Sequence, residues 1–452
     1  MRIRQIQLRE VGPFDDVTIE FPEGADPNLA DVYLLTGQNG TGKSTILYAL
    51  ASMVACGHPD LVTNTLLEAR LRSLNATVVL QTEDERPVVA ALYPHRKNND
   101  LVEFFGGARP TRINPMSGAI QYFAKPSEHP AYPRQAGWST LAKSADEHPV
   151  FDWAAFAYAG LRPVSDVQIT AIQEPATSPL KNSLSFLQTA DTALLANWIV
   201  SQNYRRLKAK EAGNLGEAEQ LARSVRRIEE SIADIIGDPG FGFVITAKDD
   251  DVRVRWRGAT VRLGVLPDGL QSIVSWIADL LMRLARIPWK DNTPVEQRHF
   301  LLLLDEIDIH LHPAWQRRVL PFVQKLFPNA QIIASTHSPF VVGSLADGRI
   351  ISLGLEGSSA KVVHVDEPQL GHSYSAVLRS IFGIESEFDV DTEHKLQQFH
   401  AARRRLLGGD ESARAEVERI ADELKQRSEE LHGLMALELG QMRRQLAQRA
   451  AP

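Results

Sequence analysis

Residues 36–45, TGQNGTGKST, constrain the fold of this chain more than any other stretch. They match the pattern G-x-x-x-x-G-K-[ST], a loop whose backbone N–H groups curl around phosphate because glycine has no β-carbon to obstruct them. Such a loop requires a strand before it and a helix after it. Here an apolar run, residues 32–35, precedes the loop, and a helix-forming run, residues 46–51, follows it. The sequence therefore predicts a nucleotide-binding α/β fold.

The loop supplies most of the contacts that a nucleoside triphosphate needs. The following helix directs the positive end of its dipole at the phosphates. Lys43 would bind the β- and γ-phosphates, and the hydroxyl group of Ser44 would bind Mg²⁺. The sequence has no N-K-x-D motif for reading guanine, so ATP is favoured over GTP. The residues predicted to bind ATP are Gly37, Gln38, Asn39, Gly40, Thr41, Gly42, Lys43, Ser44 and Thr45.

The composition argues against several classes of protein. The chain has 452 residues, a net charge of −7 and one cysteine, Cys56. One cysteine allows no internal disulfide and no zinc or iron–sulfur site built from cysteines, and this fits the reducing cytoplasm. The first residues, MRIRQIQLREVGPF, lack the apolar core of a signal peptide, and no apolar run is long enough to cross a bilayer. We expect a cytoplasmic protein with no membrane partner.

A second group of polar residues follows a predicted strand. The stretch FLLLLDEIDIHLHP, residues 300–313, is typical of a buried parallel strand that carries two carboxylates at its C-terminal edge. Asp305 would hold Mg²⁺ opposite Ser44, and Glu306 would polarise the water that attacks the γ-phosphate. Taken alone, the acidic pair is more simply explained as part of a surface salt bridge.

Two further motifs, a histidine at a strand end and a glycine-bearing turn, accompany the phosphate loop and the acidic strand. A second apolar run ends in STHSP, which puts His337 at a strand end where it can sense the γ-phosphate, although a lone histidine there is more often structural. Residues 266–272, LPDGLQS, form a glycine-bearing turn before an amphipathic helix predicted over residues 273–284. This turn is either an anion site or an ordinary helix start. The order of loop, glycine turn, acidic strand and histidine strand is hard to obtain by chance.

In this order the chain resembles the ABC-type ATPase heads of the SMC, RecF and OLD (overcoming lysogenization defect) group. Asn39 adds to the likeness, because G-x-N-G-x-G-K-[ST] is similar to the phosphate loop of that group. The resemblance covers the N-terminal strands and residues 265–355. It implies a mixed β-sheet with flanking helices, a helical insertion and a helical C-terminal tail. It also implies ATP hydrolysis with Mg²⁺ as cofactor, by two heads that close around two nucleotides.

The resemblance further implies roles for particular residues. LPDGL would be the signature motif, which caps the ATP held by a second subunit. Pro267 replaces the usual serine of the motif, which predicts a slow ATPase. The signature residues are Asp268, Gly269, Gln271 and Ser272.

The remaining site residues are implied in the same way. The catalytic residues would be Lys43, Glu306 and His337. The Mg²⁺ ligands would be Ser44, Asp305 and Gln81, the last as the glutamine of the Q-loop. Two more positions have implied roles, Asp308 at the start of a dimer-facing loop and Arg162 near the nucleotide.

A narrower resemblance concerns the stretches LLLLDEIDIHLHPAWQRRVL and FPNAQIIASTHSP, which look like those of ATPase subunits in bacterial anti-phage systems of the Septu and retron-associated type. The sequence from residue 383 is similar to the helical tail of those ATPases. The chain has no TOPRIM-like or HNH nuclease pattern of its own. The resemblance therefore implies a regulatory ATPase that controls a nuclease or toxin acting in trans. The tail helices are the expected dock, unless they are simply solvated helices with paired charges.

We divide the sequence into four segments. Residues 1–184 and 241–365 form the two parts of the ATPase head, residues 185–240 form a helical insertion, and residues 366–452 form a helical C-terminal region. In the insertion, apolar residues recur at heptad spacing, which predicts either a short coiled coil or an amphipathic helix against the core. These residues are Leu221, Val225, Ile228, Ile232 and Ile235.

Two other functions are compatible with the head. A RecF-like ATPase of DNA repair would bind DNA across the closed dimer, and the basic run RRLKAK, residues 205–210, is the local feature that favours it. The ATPase subunit of an ABC transporter fits the sequence less well, because the long insertion before the glycine turn and the HLHP stretch fit SMC-like heads better. In each case we expect a homodimer of heads or a higher even oligomer.

Overall fold

The computed structural model describes residues 2–55, 61–62, 65–73, 75–83, 88–92, 111–112, 120–124, 151–160, 175, 177–246, 252–386 and 388–450. The chain divides into two compact units, Met1–Val377 and Leu378–Pro452. The second unit therefore begins at Leu378, later than residue 366, where we predicted the start of the helical C-terminal region. Cys56 and Arg162 lie outside the described residues.

The strands of the described residues all belong to the first unit. In chain order they are β1 (Ile3–Val11), β2 (Phe14–Glu20), β3 (Asp31–Gly37), β4 (Thr77–Thr82), β5 (Val88–Leu92), β6 (Thr111–Arg112), β7 (Ile120–Ala124), β8 (Trp153–Tyr158), β9 (Gly242–Ile245), β10 (Val252–Trp256), β11 (Ala259–Arg262), β12 (His299–Leu304), β13 (Gln331–Ser335), β14 (Arg349–Glu356) and β15 (Ser359–Asp366).

The α-helices are also numbered in chain order. They are α1 (Lys43–Val54), α2 (Thr65–Glu68), α3 (Thr192–Glu211), α4 (Leu215–Ile236), α5 (Asp268–Ile273), α6 (Asp279–Arg286), α7 (Pro313–Leu326), α8 (Pro339–Val342), α9 (Tyr374–Ser380), α10 (Val390–Leu407), α11 (Arg414–Lys425) and α12 (Glu429–Ala450). A π-helical turn, Val274–Ala278, joins α5 to α6, and short 3₁₀ turns occupy Leu263–Val265, Val295–Gln297 and Glu411–Ala413.

The core sheet has six strands in the order β15-β14-β3-β13-β12-β8. All neighbouring pairs are parallel except β14 and β15, which form an antiparallel hairpin at one edge. The phosphate-loop strand β3 lies beside the histidine strand β13, which lies beside the acidic strand β12. In a parallel sheet the C-terminal ends of neighbouring strands meet at one edge, where ligands bind. The predicted mixed α/β fold is thereby confirmed.

A second sheet is antiparallel, in the order β2-β1-β4-β5-β7-β6. Its β4–β5 pair is antiparallel, and both strands are rich in valine, a β-branched residue that favours strands. Helix α1 contacts strands of both sheets, including β4 and β5 on one side and β3, β12 and β13 on the other. Most of its residues are buried in a core shared by the two sheets. This packing fixes the direction in which the phosphate loop enters its helix.

The helical insertion is a hairpin of α3 and α4 that also packs on the core. Helix α4 contacts α6, α7 and the π-helical turn as well as α3. On the heptad seam, Leu221, Ile228, Ile232 and Ile235 are buried and Val225 is half-buried. The seam thus lies in a helical hairpin that packs on the core of the first unit, as the interpretation of an amphipathic helix against the core predicts.

The second unit is a small helical body with its own core. Helices α10, α11 and α12 pack around a cluster confined to residues 396–442. At its centre Phe399, Val417 and Met435 are fully buried. Helices with one apolar stripe each require such partners to be stable. The predicted helical C-terminal region is therefore a folded body with a shared core.

Candidate nucleotide site

The phosphate loop has the conformation that the glycine pattern predicts. Gly37, Gly40 and Gly42 have φ of 136°, 84° and 93°, values that side-chain-bearing residues rarely adopt. No side chain caps the first turn of α1, so the backbone N–H groups there stay available for an anion. Gln38, Asn39 and Gly40 form an exposed crest. The loop therefore fits the phosphates of a nucleotide.

Lys43 is buried beneath this crest, where its Nζ donates hydrogen bonds to the carbonyl oxygens of Gly37 at 2.9 Å and Gln38 at 3.0 Å. Burial lowers the pKa of Lys43, and the carboxylates of Asp305, Glu306 and Asp308 oppose that effect. A buried ammonium group held at the loop is placed to bind incoming phosphate oxygens. The neighbouring Thr45 is buried too, and its side chain packs close to Gly12.

Ser44 and Asp305 meet across the edge of the core sheet. The Ser44 hydroxyl donates a hydrogen bond to Asp305 Oδ1 at 3.1 Å, and the Tyr48 hydroxyl donates to Oδ2 at 3.3 Å. Burial and the nearby Asp305 carboxylate raise the pKa of Tyr48 to about 12, so the phenol keeps its proton. A serine hydroxyl and one carboxylate beside a phosphate loop are the protein ligands typical of Mg²⁺ in this class of site. The residues present therefore fit Mg²⁺ together with nucleotide.

Ser335 connects the two acidic residues. Its hydroxyl donates a hydrogen bond to Asp305 Oδ1 at 2.6 Å and accepts one from the backbone N–H of Glu306 at 2.7 Å. The backbone N–H of Asp305 donates to the carbonyl oxygen of Tyr158 on β8 at 2.9 Å. The acidic pair is thus held from both neighbouring strands, Asp305 by its carboxylate and its backbone and Glu306 by its backbone N–H.

Glu306 has an unusual backbone conformation for a residue with a side chain, with φ of 49°. Such conformations cost energy and concentrate at functional sites. Gly160 packs directly against this residue, since a β-carbon on Gly160 would lie 2.8 Å from both Cβ and Oε2 of Glu306. The absence of a side chain at residue 160 leaves room for the carboxylate of Glu306.

His337 follows β13 and is exposed at the same edge. Desolvation and then the positive charge of Lys43 hold the pKa of His337 below its ordinary value, so the neutral ring is favoured. Its backbone N–H and the hydroxyl of Thr336 donate to Asp308 Oδ1 at 3.3 and 2.6 Å. Asp308 thereby ties the loop after the acidic strand to the histidine segment.

The glycine turn lies within the first turn of a helix, because α5 begins at Asp268 and the helix therefore starts earlier than residue 273, where we predicted it. Gly269 is buried against the loop after β12, where an added β-carbon would overlap the carbonyl oxygen of His310. Gln271 donates to the carbonyl oxygens of Gly264 at 3.2 Å and Leu266 at 2.6 Å, and Ser272 is buried. Of the four predicted signature residues, Asp268 alone has its side chain exposed.

The geometry gives Gln81 no part in this site. Gln81 lies on β4, paired with Gln5 on β1. Nearby on β1, the backbone N–H of Ile3 donates to the side chain of Gln331, the first residue of β13. The site residues follow the last residue of β13, roughly 13 Å further along a strand of this length. The prediction of Gln81 as a Mg²⁺ ligand is therefore wrong, because β8 and not β4 is the strand beside β12.

Sequence reasoning assigned no role to Ser335, Tyr48 or Gly160. One signal was readable, since Tyr48 follows Ser44 by four residues and so shares its helix face. The contacts of Ser335 and Gly160 depend on strand order, which no local pattern reveals. Within the described residues, no group of three or more His, Cys, Asp or Glu side chains could hold a metal by itself. A Mg²⁺ site of one serine, one aspartate and phosphate oxygens does not require such a group.

Two family models match parts of the chain. One is described as "AAA domain, putative AbiEii toxin, Type IV TA system" and matches residues 168–343. The other is described as "AAA domain" and matches residues 5–66. Together they include the phosphate loop, the glycine turn, the acidic strand and His337.

Three curated relatives are similar in sequence. The "Retron Vc95 probable ATPase" of Vibrio cholerae is 29% identical over 32% of this chain, and the "Retron Ec83 probable ATPase" of Escherichia coli is 34% identical over 29% of it. These matches span only 28% and 24% of the two retron proteins. The Septu protein PtuA of Bacillus thuringiensis is 21% identical over 85% of this chain and 84% of its own length.

Solved structures of SMC heads also overlap the chain. An SmcHead bound to the C-winged helix domain of ScpA gives a TM-score of 0.44 at 16% identity, over 81% of this chain and 98% of that one. The SMC head domain from Thermotoga maritima gives 0.40 at 15% identity, over 81% and 100%. At these TM-scores, the structural similarity tells us nothing about this chain beyond the strand order described above. The sequence and family matches confirm the predicted resemblance to ATPases of the Septu and retron-associated type. In the described part of the chain, no helix combines the length and apolar character needed to span a membrane.

Proposed function

We propose that this chain is an ATP-binding and ATP-hydrolysing head of an anti-phage defence system, whose nucleotide state controls a nuclease or toxin partner acting in trans. One observation carries the ATPase part. A continuous set of hydrogen bonds joins Ser44 of the phosphate loop to Asp305, Asp305 to Ser335, and Ser335 to the backbone of Glu306. A phosphate-binding helix, a candidate Mg²⁺ pair and a candidate base thus form one unit.

Each side chain has a distinct task in the proposed reaction. Lys43 and the N–H groups of the loop bind and orient the phosphates. Ser44 and Asp305 would hold Mg²⁺, which when bound neutralises phosphate charge. Glu306 would orient and polarise the attacking water, and neutral His337 would donate a hydrogen bond near the γ-phosphate.

The proposed assembly is a dimer of heads in which the glycine turn meets the nucleotide of the second copy. Asp268 is exposed at the start of α5, where backbone N–H groups favour an anion. Pro267 precedes it and offers no hydroxyl group, which supports a slow turnover. The matches to Septu and retron ATPases support the defence role and the expectation of a separate partner subunit.

Glu306→Gln provides the test of this proposal. The variant should bind ATP with the affinity of the unaltered chain, lose at least about a hundredfold in turnover, and accumulate dimers in ATP. Lys43→Ala should lose ATP binding at the phosphate loop and form no ATP-dependent dimers. Affinity by titration calorimetry, phosphate release and light scattering measure these effects. Normal turnover by Glu306→Gln would show that Glu306 is not the catalytic base. Unchanged ATP affinity in Lys43→Ala would show that the phosphate loop is not the ATP-binding site.

The control of a partner is tested separately in the native host. The tagged full chain should recover a nuclease or toxin whose activity differs between the ATP-bound Glu306→Gln form and the ATP-free Lys43→Ala form. Recovery of a nuclease with equal activity in both states would contradict regulation by nucleotide while leaving the ATPase assignment intact.

DNA repair in the manner of RecF is the second candidate, and one observation favours it. Arg205, Lys208 and Lys210 are exposed together near the end of α3. Basic residues near a helix C-terminus are also stabilised by the helix dipole, which is the simpler explanation. DNA binding that weakens steeply with salt, and that Arg205→Ala with Lys208→Ala reduces, would favour this candidate.

A further inference from the structure

An open cavity of about 540 Å³ lies beside the glycine turn, outside the phosphate-loop site. Its walls come from the β10–β11 turn, the end of α4, the turn before α5 and the start of α7. The side chains that give it chemical character are Trp256, Arg257, His310, His312, Trp315 and Arg318. Two indole rings, two imidazoles and two guanidinium groups thus face one space, whose volume is in the range typical of small-molecule sites.

The aromatic part of the cavity is held in place by hydrogen bonds. Trp315 Nε1 donates to the carbonyl oxygen of Ile236 at 3.3 Å, which fixes the indole against the end of α4. His312 Nδ1 accepts from the backbone N–H of Ala314 at 3.2 Å, so this histidine caps α7. The rings of His312 and Trp315 lie 6.5 Å apart at 64°. A flat ligand would therefore meet a rigid aromatic wall.

The cationic part consists of two guanidinium groups. The guanidinium carbon of Arg257 lies 5.0 Å from the ring centre of Trp256. Arg318 lies against the end of α4, where a β-carbon on Gly237 would sit 2.5 Å from the Nη1 atom of Arg318. No carboxylate of the described residues forms an ion pair with either guanidinium, although Asp238 accepts the backbone N–H of Arg257 at 2.8 Å. Unpaired arginines beside aromatic rings suit an anion that is attached to an aromatic ring system.

We propose that this cavity binds a nucleotide, with its base against Trp315 and Trp256 and its phosphates at Arg257 and Arg318. The nucleotide has two sources. It is either free in solution or held on the phosphate loop of a second copy, because Pro267 and Gly269 of the glycine turn also line the cavity. The second source rests on the proposed dimer of heads, and the first does not.

The first arm of the test uses ATP and the full chain carrying Lys43→Ala, which disables the phosphate loop. If the cavity takes free ATP, calorimetry should find one site per chain, weakened at least about tenfold by adding Arg257→Ala and Arg318→Ala. Arg317→Ala is the matched control, since Arg317 is exposed on the same helix but lies over Tyr374 outside the cavity. The control should keep the affinity of Lys43→Ala alone.

The second arm applies if Lys43→Ala binds no ATP. The variant Arg257→Ala/Arg318→Ala should then bind ATP at its loop normally, which also shows that it is folded, yet dimerise in ATP at least about tenfold more weakly than the unaltered chain. Mixing it with Lys43→Ala pairs an intact loop with an intact cavity and should restore dimers holding one ATP. Light scattering and ATP stoichiometry report both effects.

The cavity proposal is overturned if the double arginine variant equals the Arg317→Ala control in ATP stoichiometry and in dimerisation. It is also overturned if Lys43→Ala binds no ATP and the unaltered chain forms no dimers in ATP. That last result contradicts the proposed dimer as well, whereas free ATP bound by Lys43→Ala would support the cavity whether or not heads dimerise.

Discussion

At the scale of single residues, the site depends on small side chains that leave room for larger ones. Ser335 is compact enough to lie between Asp305 and the backbone of Glu306, and it hydrogen-bonds to both. Gly160 leaves the space that Glu306 fills. The reactive geometry is therefore set by neighbours that would not touch the nucleotide themselves.

Gly160→Ala tests this directly. The added methyl group would meet Glu306 at 2.8 Å and displace its carboxylate, so we expect about a hundredfold loss of ATP turnover with ATP affinity nearly unchanged. Gly216→Ala is the matched control, because the nearest atom to its added β-carbon lies 4.0 Å away. Turnover at the unaltered rate in Gly160→Ala would show that Glu306 tolerates displacement or has no catalytic role.

At the scale of elements, the helix after the glycine turn is interrupted by a π-helical turn before α6. Such turns are rare and frequently mark functional sites. At the start of α6, the buried Asp279 accepts hydrogen bonds from the Tyr158 hydroxyl at 2.9 Å and from Arg283 Nε at 2.6 Å. Tyr158 is the last residue of β8, and its carbonyl oxygen accepts a hydrogen bond from the backbone N–H of Asp305. Tyr158 thus connects the helix that follows the glycine turn to the end of the acidic strand.

Arg283→Met should be strongly destabilising. Both members of the Asp279–Arg283 pair are almost fully buried, and Arg283 also donates to the carbonyl oxygens of Pro179, Lys181 and Thr189. Removing the arginine leaves a buried carboxylate without its cation, at a cost of about 3–5 kcal/mol in the free energy of unfolding.

Urea denaturation measures that cost, with Arg286→Met as the control on the same helix. Arg286 is only half-buried and donates to the carbonyl oxygens of Pro175 and Thr177, so its loss should cost clearly less. If both variants lower the free energy of unfolding equally, the buried Asp279–Arg283 pair contributes no more to stability than the contacts of Arg286.

At the scale of the whole molecule, the two units have separate cores. The core of the second unit is confined to residues 396–442, and every residue of the candidate nucleotide site lies in the first unit. We propose that the two units have different tasks, with nucleotide bound by the first unit and a partner held by the helical body.

Truncation after Val377 should therefore leave ATP affinity within about twofold of the full chain, because no core residue of the first unit is removed. It should also abolish recovery of a partner from the native host. Calorimetry and pull-down measure the two effects, with the full chain carrying Lys43→Ala as the control for loss of nucleotide. A truncated chain that still recovers the partner would place the dock on the head.

The sequence alone determined the class of fold and predicted the central residues of the candidate site. The phosphate loop, the acidic strand and His337 were readable because each depends on local chemistry: glycines that allow positive φ, an apolar run that ends in carboxylates, and a polar residue at a strand end. Their order along the chain carried the resemblance. The glycine turn was readable as a motif, although its helix begins earlier than its periodicity predicted.

Only the tertiary structure decided which residues support that site. Strand order brings β8 beside β12, which places Gly160 against Glu306 and sets Gln81 apart in the second sheet. Strand order also brings Ser335 to Asp305, and the packing of α4 on α7 forms the cavity lined by Trp315 and Arg318. These contacts join residues far apart in the chain, so their physical cause is the packing of whole elements, which no local pattern in the sequence encodes.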